Sequence, residues 1–237
     1  MDDIDRLEHL CARAWPALAQ ERLGDWLMRA AQGFTGRANS TLTTGDPGLT
    51  VPNALAATVE FAARNDIAPT AHVVIGSRHE RAIAAAGWRV NLDHPGGAES
   101  LVMTGPLAPF AGIPAESRET PGWWELAAAK EPTEAQKHVL ATGDVCFASI
   151  EENGETVAAV RGTVVEHLLH VARLNVRPEH RRRGLARELM ARLAGWGVEN
   201  GATTCVLQVA EHNKAAIELY TSLGCEEHHR YRYWIPA

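Results

Sequence analysis

Residues 168–186, LLHVARLNVRPEHRRRGLA, hold the densest chemistry of this 237-residue chain. Their order predicts a strand from Leu168 to Val176, a stop at Pro178, a basic turn, and a helix opening at Gly184-Leu185-Ala186. Proline has no backbone N–H and cannot extend a strand, so Pro178 fixes where the turn begins. The helix continues through Leu189, Met190, Leu193 and Trp196, an apolar stripe at helical spacing. Gly184 and Ala186 leave room at its first turn, where unpaired N–H groups and the helix dipole favour an anion. The chemistry indicated is phosphate binding. A solvated charge run or a nucleic-acid patch are the other uses of Arg181, Arg182 and Arg183. A formal net charge of −6 and a pI near 6.0 argue against nucleic acid, whose partners are usually strongly basic. The chain has neither G-x-x-x-x-G-K-S/T nor the flanking glycines of a dinucleotide fingerprint.

The next elements support the same site. Glu199-Asn200-Gly201 reads as a helix stop, and Thr203 to Val209 as a buried strand rich in β-branched and apolar residues. Glu211-His212-Asn213 leads into a short helix, Lys214 to Leu223, which ends at Gly224. A right-handed strand–helix–strand crossover sets the two strands side by side and parallel. Tyr220 then lies near the crevice between them.

Two motifs carry a family resemblance. Arg181 to Ala186 fits R-x-x-G-x-A, and Asn213-x-x-Ala216-x-x-Leu219-Tyr220-x-x-x-Gly224 follows at the expected separation. Residues Val145 to Trp234 thereby resemble the GCN5-related N-acetyltransferases (GNAT family), which bind acetyl-CoA at the first motif. Cys225 stands where the family usually has Phe, a change that concerns packing more than chemistry.

The resemblance implies roles residue by residue. The cofactor pyrophosphate falls to Arg181, Arg182, Arg183, Gly184, Leu185, Ala186 and Arg187. The backbone of Leu174, Asn175 and Val176 holds the pantetheine arm and polarises the thioester carbonyl, provided a bulge splays the strand. Asn213 lines the cofactor channel or caps its helix. Tyr220 gives a proton to the departing thiolate or hydrogen-bonds its sulfur, the alternative being a half-buried packing role. No general base is assigned: His170, His167, Glu166 and Glu211 are candidates, and a packed or solvated role suits His170 better.

Composition frames the rest. With 46% hydrophobic residues the chain can bury a sizeable core and hold two lobes. No stretch approaches the length of a membrane span, and the acidic opening Met1-Asp2-Asp3 is unlike a secretory signal. Cys11, Cys146, Cys205 and Cys225 are scattered, as suits reduced thiols in a cytoplasmic protein, although Cys205 and Cys225 could approach one another from neighbouring strands. No metal-ligand spacing occurs, so no metal is expected.

Proline, glycine and small residues interrupt the pattern from Gly105 to Gly122. Ahead of that interruption a helix is expected from Leu7 to Ala19, broken at Pro16. Strands follow at Trp26 to Arg29 and Asn39 to Thr43, then a turn at Gly45 to Gly48 and a helix from Val51 to Arg64. A strand from Ala71 to Ile75, a helix from Arg78 to Ala86 and a strand at Gly87 to Val90 complete the segment. This order repeats that of the second half, with Gly45-Asp46-Pro47-Gly48 in place of the phosphate turn. W-x-x-R…GFTGRANS, from Trp26 to Ser40, resembles the two-lobed members of the family. Arg29 and Arg37 are read as lying on a solvated hairpin shaped by Gly33, Gly36 and Asn39, the alternative being that Arg37, Asn39 and Ser40 reach a substrate. Trp123-Trp124 is read as core, and the alternating tail His228 to Trp234 as a closing strand with Tyr231 and Tyr233 on one face, where either could border the acceptor site.

The expected architecture is an α/β (α+β) mixed sheet in tandem GNAT-like lobes. These are a degenerate lobe over 1–108, a linker over 109–122 and a catalytic lobe over 123–237. The expected function is direct transfer of an acetyl group from acetyl-CoA to a primary amine of a small molecule or protein. A catalytically inactive acyl-CoA-binding or interaction module is the alternative. Neither nucleic acid nor membrane is expected as a partner, and the sequence leaves the oligomeric state, monomer or homodimer, open.

Overall fold

The computed structural model describes residues 3–237; Met1 and Asp2 of the acidic opening lie outside the described residues. The chain forms two compact units. The first takes the chain as far as Val102, with Val209–Asn213 and Glu227–Ala237; the second takes Met103–Gln208 and Lys214–Glu226. In chain order the elements are α1 (Asp3–Ala14), β1 (Ala19–Leu23), β2 (Trp26–Ala30), β3 (Thr41–Leu42), α2 (Val51–Arg64), β4 (Ala71–Val74), α3 (Glu80–Ala85) and β5 (Trp88–Val90). Then come β6 (Glu99–Pro106), α4 (Pro121–Ala127), α5 (Glu134–Ala141), β7 (Val145–Glu152), β8 (Glu155–Val165), β9 (Leu168–Val176), α6 (Leu185–Glu199), β10 (Thr204–Ala210), α7 (Lys214–Ser222) and β11 (Glu226–Pro236).

In the first unit β1, β2 and β3 pair antiparallel, β3 and β4 pair parallel, and β11 runs antiparallel to both β4 and β5. Trp26, Leu55, Val73, Ile83, Trp88 and Trp234 form one buried cluster under α2 and α3. Each such side chain contributes about 1.5–3 kcal/mol when removed from water. Three sequence expectations are corrected here. Helix α1 ends at Ala14 and not at Ala19, because Pro16 bars the preceding residue from helical conformation. The chain then enters β1 at Ala19, which pairs with β2 as a hairpin. The strand expected from Asn39 contracts to Thr41–Leu42, because Asn39 organises the turn before it. Its Oδ1 accepts from the N–H groups of Ala31 and Gly33, and its Nδ2 donates to the carbonyls of Phe34 and Thr35. Arg29 is not on a solvated hairpin: it is buried, with Nε donating to Ser40 O at 3.0 Å and Nη2 to Ser40 Oγ at 3.1 Å.

In the second unit β7 and β8 pair antiparallel, as do β8 and β9, and α6 carries the chain from β9 over to the parallel β10. Strand β6 occupies residues in which the sequence pattern showed no strand and runs into the start of the supposed interruption. The segment beyond it lies along α6, where Gly112 and Ala115 donate to the carbonyls of Ala191 and Arg192. Trp123 and Trp124 are buried, as core packing requires. The indole N–H groups find Val160 O at 3.1 Å and Glu119 Oε1 at 2.9 Å.

Candidate functional site

The parallel pair β9/β10 builds the site. Leu168 to Val171 pair with Thr204 to Leu207, and pairing stops there although both strands continue. The cause lies on the other edge of β9. Between the pairs Arg161↔Ala172 and Ala159↔Asn175, β9 has two residues, Arg173 and Leu174, against Val160 alone on β8. This is a β-bulge, and Arg173 takes the left-handed φ of 57° that bulges use. The Arg173 guanidinium hydrogen-bonds Ala127 O and holds the bulge against the end of α4. Leu174, Asn175 and Val176 therefore lie beyond the pairing with β10 and are half-buried.

The turn after β9 feeds straight into α6. Pro178–His180 makes one 3₁₀ turn, and Gly184 caps α6 with φ 85°. A Cβ at Gly184 would meet nothing within 4 Å, so the glycine answers a backbone requirement in front of open space. Leu185 is buried against the unit and Ala186 half-buried, while Arg181, Arg182, Arg183 and Arg187 are exposed. The arginines are not equivalent. Arg181 Nε donates to Val176 O at 3.2 Å and ties the turn to the strand end. Arg182 has the left-handed φ of 62°. Arg187 Nη2 donates to Ser222 Oγ at 2.6 Å. Arg183 is clasped by Glu152 at 2.8 and 2.9 Å, and this pairing raises the guanidinium pKa and holds the Glu152 carboxyl below its usual range. Sequence reasoning missed Glu152; it required a bulge near Leu174 to Val176 but did not place it at Arg173 and Leu174. A charged Arg173 inside LLHVARLNV was the available signal for the bulge; nothing in the sequence pointed to Glu152.

Tyr220 lies on α7 and is buried; its carbonyl accepts from the N–H groups of Leu223 and Cys225. Burial, then the neighbouring Cys205 and Cys225 thiols, push the phenol pKa well above its usual value. Cys205 is hydrogen-bonded to Cys225; that bond and burial raise the Cys205 pKa, while at Cys225 the bond outweighs burial and lowers the pKa. All four cysteines are buried thiols. His170 is buried, with Nε2 2.9 Å from Gln208 Oε1, whereas His167 and Glu166 are exposed in the β8–β9 turn. Asn213 and Glu211 belong to the segment of the first unit. The Asn213 N–H donates to Ala210 O, closing a turn, and the Glu211 N–H donates to Glu99 O. Tyr231 and Tyr233 share one face of β11 as expected. Both are buried in the first unit, with Tyr231 stacked on His72 at 3.8 Å and its ring 5.5 Å from that of Tyr233. Among the described residues no helix is long and apolar enough to cross a membrane, and no group of three or more metal-ligating side chains comes together.

The family model described as "Probable histone acetyltransferase Rv0428c C-terminal" matches residues 2–234. The uncharacterized N-acetyltransferase YobR of Bacillus subtilis is 27% identical over 97% of this chain and 98% of its own length. A GCN5-related N-acetyltransferase from Kribbella flavida superposes with a TM-score of 0.72 at 17% identity, covering 99% of this chain and 95% of that one. A tandem GNAT protein from the clavulanic acid biosynthesis pathway superposes with a TM-score of 0.60 at 16% identity, over 96% of this chain and 86% of its own. These two likenesses concern the fold, a mixed α/β sheet of GNAT type. The chain is a GNAT acetyltransferase and belongs to the family described as "Probable histone acetyltransferase Rv0428c C-terminal".

Proposed function

We propose that this acetyltransferase takes its acetyl group from acetyl-CoA and passes it directly to a primary amine, either a small molecule or a protein lysine. The parting of β9 and β10 after Val171 and Leu207, beside the open N-terminus of α6, is the observation that supports this reading. A diphosphate suits a helix end where N–H groups lack partners and a glycine leaves access. A pantetheine arm suits a strand edge released from its neighbour.

Acetyl-CoA supplies the acetyl group as an activated thioester. The backbone of Leu174 to Val176 orients the arm and offers N–H groups to the thioester carbonyl, where negative charge grows as the amine attacks. Arg182 and Arg187 supply charge at the phosphate end, while Arg183, already paired with Glu152, contributes less field than its number in the motif suggests. Tyr220 acts at the sulfur. An ordinary thiol titrates near pH 8.5 and a phenol near 10, and the Tyr220 environment widens that gap. Complete proton transfer from Tyr220 is therefore uphill, so its O–H works foremost as a hydrogen bond that stabilises the departing thiolate.

Calorimetric titration with acetyl-CoA tests the cofactor reading, followed by a thiol-release assay across alkylamines, polyamines and lysine peptides. One site per chain together with amine-dependent thiol release is expected. Absence of binding overturns the cofactor assignment, and binding without release under any amine moves the chain to the inactive-module class.

A further inference from the structure

Cys205 on β10 and Cys225 just past α7 are hydrogen-bonded to each other within the second unit, beside Tyr220. Local features of the chain bring them together. Gly224 takes φ 86°, and the Cys225 N–H donates to Tyr220 O at 3.0 Å, so the chain folds back against the end of α7. Gly105 on β6, the strand beside β10, lets that end approach. A Cβ on Gly105 would fall 2.7 Å from Gly224 O and 2.9 Å from Cys225 Cα. Pairing with Leu169 of β9 fixes Cys205 on the other side. Cys225 stands where Phe is usual in the family, and the thiol gives that position a chemistry that a ring lacks.

The two thiols are not alike. The shared hydrogen bond keeps Cys205 protonated as the donor and favours the thiolate at Cys225, the acceptor. The thiolate is the form that attacks peroxides. Cys225 is also the shallower of the two, since Gly224 and Glu226 on either side of it are exposed. Cys205 lies in a strand where Val206 and Leu207 are buried as well. Cys146 differs from both: burial pushes its thiol up to about 12, against a weaker opposite pull from the Ser117 hydrogen bond.

We infer that Cys205 and Cys225 are an oxidation site, closing to a disulfide under hydrogen peroxide and reopening under a thiol reductant. The Cys225 thiolate attacks one peroxide oxygen, the O–O bond breaks, and the departing hydroxide takes up the proton Cys225 gave and leaves as water. Cys225 is then a sulfenic acid. The Cys205 sulfur attacks the Cys225 sulfur, the S–O bond breaks, and the hydroxyl leaves as water with the Cys205 proton. The two thiols together lose two electrons, and the peroxide gains them. The new bond ties the end of α7 to β10. Tyr220 is one backbone hydrogen bond away from that tie, so closure slows acetyl transfer; this consequence, unlike the disulfide itself, rests on the role proposed for Tyr220.

The test treats the reduced, folded full chain with excess hydrogen peroxide, blocks remaining thiols by alkylation and maps the peptides by mass. The expected result is a chain lighter by two hydrogens, one Cys205–Cys225 linked peptide, and full reversal by dithiothreitol. In Cys205→Ala the sulfenic acid has no partner, so dimedone should trap it on Cys225. Acetyl transfer by the oxidised chain should fall about tenfold or more and return on reduction, because small misplacements at a reacting centre are costly. Two results each overturn the site: no Cys205–Cys225 link in the folded chain, or dimedone on Cys146 with Cys225 unlabelled. A linked chain with an unchanged rate overturns the control over Tyr220. Because the link is read by mass, it is judged separately from acetyl transfer and stands even where no amine is acetylated.

Discussion

Arg183 and Glu152 form a two-pronged pair, Nη1 to Oε2 at 2.9 Å and Nη2 to Oε1 at 2.8 Å, with His180 Nδ1 3.3 Å from the same carboxylate. The pair joins the basic turn to the end of β7 and neutralises the most highly paired guanidinium of the R-R-R run. Glu152→Gln should therefore strengthen acetyl-CoA binding a few-fold at low salt, the gain fading as salt rises, because Arg183 regains its charge. Arg183→Ala should weaken binding less than Arg182→Ala does. Titrations at two salt concentrations check both, and a loss of affinity in Glu152→Gln would show that the pair orders the turn.

Gly184 separates strain from charge. Its φ of 85° puts any other residue in the left-handed region, while the space beyond it is open. Gly184→Asn, a residue that tolerates this conformation, should lower stability by about 1 kcal/mol and retain acetyl-CoA binding. Gly184→Glu should fold with a similar loss yet bind no cofactor, since a carboxylate then faces the pyrophosphate. Thermal melts alongside titrations distinguish the two effects.

The legible part of the molecule is the part written in local rules. Pro178 and the helical stripe at Leu189, Met190 and Leu193 fixed β9 and α6 to within a residue or two, since proline and periodicity act on near neighbours. Of the apolar positions Leu55, Val59, Phe61 and Ala62 that the helical pattern of α2 offers, Leu55, Phe61 and Ala62 are buried and Val59 is exposed. The unread part depends on distant partners. Burial of Arg29 requires Ser40 across a turn that Asn39 organises. Edge strand β1 has a mostly exposed face, with no apolar alternation to reveal it. Glu152 became part of the candidate site only because β7 ends beside the basic turn, a fact of sheet order that no spacing rule encodes.

Tyr220→Phe isolates the hydroxyl. The aromatic body stays in its buried place, so stability should change little, while kcat falls about 10²-fold and the KM for acetyl-CoA holds. Because burial keeps the phenol protonated, the wild-type rate should show no loss from Tyr220 ionisation up to pH 10. A fall in rate through pH 9–10 that the Phe variant lacks would mean that Tyr220 ionises in the working range. An equal rise in KM with kcat unchanged would reduce Tyr220 to a packing role.

Acid should loosen the first unit, and the sign follows from one buried cluster. Glu8 is buried, with Oε1 2.8 Å from His229 Nε2 and Oε2 3.3 Å from His72 Nε2. Burial alone would raise the Glu8 pKa, but the His72 interaction and the hydrogen bond from His229 outweigh it and hold the carboxyl well below its usual range. His72 is displaced downward, by burial first, with Glu8 pulling the other way. Half-buried His9 and His94 are lowered too, again chiefly by desolvation. In each case the unfolded chain binds the proton more readily than the folded one, so stability is full above the unfolded pKa and is lost as pH falls. The histidines act first, below about pH 6.5, and Glu8 adds its share below about pH 4.5. The melting temperature should thus decline from pH 7 to 5 and more steeply below. His72→Gln removes one titrating ring while keeping a polar group beside Glu8, so it should flatten the first part of that decline. A melting temperature that rises on acidification, or a slope unchanged in the variant, would mean that the cluster is protonated in the native state.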